Sequence, residues 1–243
     1  MERQYPHHKS TQLIASSAEA FHVGVDAEDT RNWSAAFTMA KVLDTLVDED
    51  HIYDTSFYTE QLLAGSQMPY LTEDETNFVR ETYRNLSETS KERWQNAATK
   101  LGNFALKRLE AETVGEYIEV ISTESILMSD VLKVENTLAR PDYPQREIFN
   151  VWLEQMGRTA YAVDTLSDLI RDHNEGNMNI QPNLHTATAL ARHSLKEFVS
   201  FARITPMPVY GAILQRGVTK SFEKLRQPNF MKKQFIKSAE AVQ

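Results

Sequence analysis

The chain contains no cysteine. This excludes a disulfide framework, a thiolate metal site and a cysteine nucleophile, so any metal must be held by carboxylate, imidazole or carbonyl groups. Glycine and proline are scarce, 8 of each in 243 residues. A β-sandwich or a doubly wound α/β protein spends more of both on turns. Positive charge is in deficit: 26 Lys and Arg stand against 34 Asp and Glu, for a net charge of −8. A basic footprint over the whole chain is thereby excluded, and no nucleic-acid partner is expected. No apolar run reaches the ~18 residues of a membrane-spanning helix. Met1 to Lys9 are polar and do not read as a secretory leader, so the expected location is the cytoplasm. What remains is ordinary globular composition, 41% hydrophobic and 25% charged.

Apolar residues recur at three- and four-residue spacing almost throughout, which predicts helices. They are expected near 9–23, 30–48 (capped by Asp29 or Thr30), 54–64 (stopped by Gly65) and 113–139. Pro144 opens another over 144–173, and two more follow over 183–203 and 208–226. Thr72 to Glu75 reads as a capping box that opens a stretch reaching Glu112, broken near Gly102, with the polar Ser87 to Gln95 on the outside. With no repeat and no long linker, the expectation is one all-α domain over 1–243. It has about eight helices, a flexible start over 1–9 and a basic segment over 228–243.

Two helices carry aspartates in register. Asp44 and Asp48 are four apart and share a face with Phe37 and Ala40, while Met39, Val42, Leu43 and Leu46 make the other side apolar. Asp164, Asp168 and Asp172 follow one another at the same spacing, on a line with Leu153, Gly157 and Tyr161. A single such pair is common on the solvated face of an acidic protein. Two sets that continue apolar stripes, built from a poor helix former, point instead to a shared cation site.

At these residues the chain resembles the squalene and phytoene synthase family of all-α isoprenoid synthases. Leu43-Asp-Thr-Leu-Val-Asp48-Glu-Asp50 is similar to the family's first acidic motif, and Asp168-Leu-Ile-Arg171-Asp172-His-Asn-Glu175 to its second. Ile180-Gln-Pro182 falls where the family has a Pro-ended segment. The resemblance implies an isoprenoid-synthase-like bundle around a central cavity. It implies a Mg²⁺-dependent enzyme that ionises prenyl diphosphates, followed by condensation or by cyclisation of a single chain. Asp44, Asp48, Asp168 and Asp172 would be the catalytic carboxylates, and Asp164 and Glu175 further Mg²⁺ ligands. The register of the second motif is open: aligning Arg171-Asp172 puts Asp168 at the family's Asn, and aligning Gly157 puts Asp164 there. Arg171 and Lys41, with Arg158, would contact phosphate. Phe37, Tyr161, Trp152 and Tyr117 would line the cavity. The chain departs from the family in lacking a Ser-x-Ser-Phe segment before Asp44, the Arg before the Pro-ended segment, and glycines in Tyr117 to Ser125. In the family those glycines make room for prenyl chains.

Two other readings remain open. One is a non-catalytic helical protein that keeps the fold. The other is a di-iron carboxylate protein using Glu19-Ala-Phe-His22, with Asp48-Glu-Asp-His51 as an imperfect second motif. His173, His185 and His193 lack metal-ligand spacing. Lys232-Lys-Gln-Phe235-Ile-Lys237 is basic with apolar residues between, a pattern that also suits peripheral contact with a membrane surface.

Overall fold

The structure, a computed structural model, describes residues 8–135 and 141–211. It is all-α. The chain forms two compact units, 1–204 and 205–243. The first contains α1 (His8–Ala20), α2 (Ala27–Asp48), α3 (Thr55–Ala64), α4 (Glu73–Asn85), α5 (Glu88–Glu110), α6 (Val114–Asp130), α7 (Tyr143–Asn174) and α8 (Leu184–Ile204). In the second, residues 207–211 are helical and Val209 is buried. The rest of the expected 208–226 helix and the basic tail lie outside the described residues, as does the 1–7 start. No described helix is long and apolar enough to cross a membrane.

Capping explains most boundaries. α2 starts earlier than expected because Asp26 is its cap. The Asp26 carboxylate accepts from Asp29 N (2.9 Å), and Asp29 in turn accepts from Asp26 N (3.3 Å), so Asp29 is the third helical residue of a capping box. Thr72 and Glu75 form the expected box at α4. Gly65 ends α3 at φ 98°, a left-handed conformation that glycine adopts without strain.

The expected long stretch to Glu112 breaks at Leu86 and Ser87, not at Gly102. Ser87 accepts from Ser90 N and caps α5, and Gly102 lies inside that helix. Nor is the start of α5 wholly outside: Ser90 and Trp94 are buried, and Trp94 Nε1 donates to Asn32. α6 stops at Asp130, short of the expected 139. The chain beyond it bonds to side chains instead: Leu132 O accepts from Trp33 Nε1 (2.7 Å), and Val134 N and O both pair with Asn150.

Gly102 is a contact glycine. A Cβ there would lie 1.8 Å from the Tyr53 carbonyl oxygen, and backbone cannot yield cheaply. In the same contact Thr55 Oγ1 donates to Ala98 O. Gly102→Ala is therefore expected to destabilise by about 1–3 kcal/mol, despite alanine's better helix propensity. Urea denaturation tests this, and an unchanged or raised midpoint would contradict it.

The main core lies against α7. Trp33, Phe149 and Trp152 are fully buried, and Phe149 and Trp152 stack with centroids 5.6 Å apart. Phe21 of the α1–α2 connection and Phe201 of α8 complete the cluster. α7 packs on both α6 and α8, and α5 packs on α6 and α3. The expected aspartates thus fall at the C-terminal ends of α2 and α7.

Candidate functional site

The C-terminal ends of the two acidic helices border one cleft. Its walls include Asp44, Asp48 and His51 from the end of α2, and Arg171, Glu175 and Asn177 from the end of α7 and the turn after it. Charge links the two sides. Asp44 is pushed up to about 6, first by burial, then by Asp48 beside it and Asp164 across from it. Asp172 is also pushed up to about 6, by burial and by the charges of Asp168 and Asp48. Asp164 is raised by burial, Asp168 and Asp48. Asp44 and Asp164 are exposed, while Asp48, Asp168 and Asp172 are half-buried. Of the expected residues, Asp44, Asp48, Arg171 and Glu175 line the cleft, while Asp164, Asp168 and Asp172 are tied to it by charge and are not part of its wall.

Arg171 is exposed and folded onto its own helix. It reaches Asp168 at 2.9 Å, Asp172 at 3.1 Å and Glu175 at 3.6 Å. Lys41 lies exposed on α2 and lines neither the cleft nor the cavity below it. Arg158 pairs with Glu154 at 3.1 Å and is likewise absent from both linings. Glu19 and His22, at the end of α1, are also outside the cleft wall.

Sequence reasoning missed Arg108 of α5. Its side chain is only 15% exposed; Nη2 lies 3.2 Å from Asp48 Oδ1, and Nε lies 3.6 Å from Glu124 Oε2. Glu124 is buried on α6, and the 3.6 Å approach leaves Arg108 Nε and Glu124 Oε2 without a hydrogen bond. Burial pushes Glu124 up to about 7, against the pull of Arg108 and with a further push from Asp48 and Asp44. Tyr117 and Tyr161 adjoin this group, and burial raises both phenols. No local pattern announces the pair, because its members lie on different helices. The available signal was a lone glutamate in the otherwise apolar and small stretch of α6.

Glu124 has a consequence for stability. Its folded value lies above its ordinary 4.5. Its contribution is therefore complete below about 4.5 and is lost as pH rises through about 7. Stability is expected to fall between pH 5 and 8, and Glu124→Gln should remove about 1–3 kcal/mol of that fall. Urea titrations at the two pH values check this; an equal fall in the variant would contradict it.

Below the cleft lies an apolar cavity of about 280 Å³. Phe37 and Ala40 of α2 and Ala160 and Tyr161 of α7 line it one or two turns before the aspartates. Phe37 and Tyr161 are where the sequence reading put them. Trp152 is not: it belongs to the stacked core, because its ring is fully enclosed by Phe149, Phe21 and Phe201. Tyr117 is buried beside Arg108 and is not part of the cavity lining. Small side chains create the room: Ala36 and Ala40 on α2, Ala97 and Ala98 on α5, Gly157 and Ala160 on α7.

The donor set suits a hard divalent cation. Apart from His51 its donors are oxygens, they come from the ends of two helices, and its carboxylates outnumber Arg108 and Arg171. Among the described residues no three carboxylates or imidazoles converge on one point. Mg²⁺ does not need such a cage, since it usually takes one or two carboxylates together with substrate phosphate and water. No protein-family model, curated protein or solved structure matches the chain.

Proposed function

We propose that this protein is a Mg²⁺-dependent enzyme that ionises a prenyl diphosphate. The observation that supports the reading is a cleft lined by Asp44, Asp48 and Glu175, with Asp164 coupled by charge to Asp44, beside an apolar cavity bordered by Phe37 and Tyr161. The resemblance of the two motifs to those of squalene and phytoene synthases points the same way.

Asp44, Asp48, Asp168 and Asp172 would hold Mg²⁺, with Asp164 and Glu175 at the margin. These carboxylates would thereby place positive charge, which a bound Mg²⁺ would supply, beside the departing diphosphate. The chain's own groups do the rest. Arg171, exposed in the cleft, is free to turn from its helix and donate to phosphate oxygens. The C1–O bond breaks heterolytically, its electron pair leaves on the diphosphate oxygen, and an allylic cation remains. The cavity keeps water from that cation, and the faces of Phe37 and Tyr161 stabilise it. Loss of a proton from carbon to the departing diphosphate closes the sequence.

The test is release of diphosphate from allylic prenyl diphosphates by the purified chain. Release is expected with Mg²⁺ and its abolition with excess EDTA. No release from any prenyl diphosphate with Mg²⁺ present would overturn the reading.

A further inference from the structure

The cavity has a length and a volume, and both limit what it can hold. On α2, Ala36 and Ala40 share a face with Asp44 and Asp48; on α7, Gly157 and Ala160 precede Asp164 in the same way. From Ala36 to Asp44 is eight residues, about 12 Å of helix at 1.5 Å each. Leu62, Tyr83 and Trp94 line the cavity, and the last two meet edge to face with centroids 6.0 Å apart. Trp94 precedes Arg108 by fourteen residues, about 21 Å along α5, so these rings stand at the end away from the carboxylates. All three side chains are buried, so lengthening the cavity in this direction means opening the core.

Volume gives the same limit. An apolar cavity of about 150 Å³ takes up benzene, about 25 Å³ for each carbon. On that scale the cavity of about 280 Å³ has room for about eleven carbons. One fifteen-carbon chain needs about 375 Å³, and two need about 750 Å³. Six helices, α2 to α7, contribute to its walls.

We infer that the substrate is one ten-carbon prenyl diphosphate, and that the reaction is not the joining of two chains. This rests on the proposed ionisation at the aspartates and goes beyond it in fixing chain length and number. Two prenyl units fill the cavity from Ala40 to Trp94, with the diphosphate in the cleft at Asp44 and Asp48. The missing glycines of α6 fit this directly. Room comes from the small residues of α2, α5 and α7, while α6 contributes Met128 and Ser129 to the wall.

The experiment offers the full chain ten-, fifteen- and twenty-carbon allylic prenyl diphosphates, each with Mg²⁺, and follows both diphosphate release and product mass. The ten-carbon substrate is expected to give a kcat/KM at least tenfold above the others, with products of ten carbons only. Met156 lines the cavity on α7, eight residues before Asp164, and carries none of the site's charge. Met156→Ala is expected to raise the fifteen-carbon to ten-carbon ratio by about tenfold, the reverse of a loss from misfolding. Preference for a longer chain, or a product with the carbons of two chains, would overturn this inference and leave the ionising enzyme standing. No release from any of the three would overturn the ionisation itself, and the inference with it.

Discussion

Asp44→Asn is expected to lower the rate of diphosphate release about 10³-fold, about 4 kcal/mol of transition-state stabilisation, while leaving the fold as stable as before or more so. The two effects share one cause. Asp44 is pushed up to about 6 because burial, Asp48 and Asp164 all oppose its charge. A residue selected for stability alone would not be a carboxylate there. Removing the charge relieves the repulsion and takes away a ligand for the cation that would compensate it. Asp172→Asn should behave alike, since Asp172 is raised in the same way. Steady-state release assays and thermal melts without Mg²⁺ check both halves. Full activity, or a markedly lowered melting temperature, would contradict the assignment.

Arg146→Ala is expected to cost about 3–5 kcal/mol of stability, enough to populate unfolded chains in a domain of ordinary stability. Arg146 is fully buried near the start of α7. Nε donates to Asp142 Oδ2 at 2.9 Å, Nη1 to Glu135 O at 2.9 Å, and Nη2 to Gly24 O. Asp142 also accepts from Gly24 N at 3.0 Å. One planar guanidinium thus joins the α1–α2 connection, the chain after α6 and the first turn of α7. Truncation leaves the Glu135 and Gly24 carbonyls without this donor and the Asp142 carboxylate with one donor fewer. Arg146→Lys should recover only part of the loss, because one ammonium cannot donate along three directions in a plane. Calorimetry and denaturant titration read the difference. A variant as stable as the parent would show that the network contributes nothing. The residue holds the helix that carries Asp164 to Asp172 and takes no part in the chemistry, so activity per folded molecule should persist.

Helix identity was legible because it rests on local chemistry. The capping box of Thr72, the stop at Gly65 and the early Pro144 of α7 each act within one turn. The errors came where distant groups decide. Gly102 looks like a helix break in sequence, yet it is needed because Tyr53 presses on α5. α6 ends early because Trp33 and Asn150, far away in the chain, take the backbone groups that a longer helix would have paired.

The candidate site divides along the same line. Four-residue spacing put Asp44 with Asp48, and Asp164 with Asp168 and Asp172, on single faces. Periodicity could not say that Arg108 and Glu124 lie beneath them, because each stands on a helix of its own. Nor could it tell Trp152 from Phe37: both are aromatic on apolar faces, and only packing separates the ring enclosed by Phe149 from the one that borders a space. The missing glycines of α6 do not abolish the cavity. The alanines of α2 and α5 make that space, and nothing in their local sequence marks them as more than helix formers.

The account stands on one geometric claim, that the aspartates of α2 and α7 jointly hold a metal-bound diphosphate above the apolar cavity. A crystal structure grown with Mn²⁺ and inorganic pyrophosphate, with anomalous data collected at the manganese edge, tests it most directly. The account predicts anomalous peaks between Asp44 or Asp48 and Asp168 or Asp172, bridged by pyrophosphate, with Arg171 turned towards its oxygens. An empty cleft, or manganese bound only outside it, would contradict the claim.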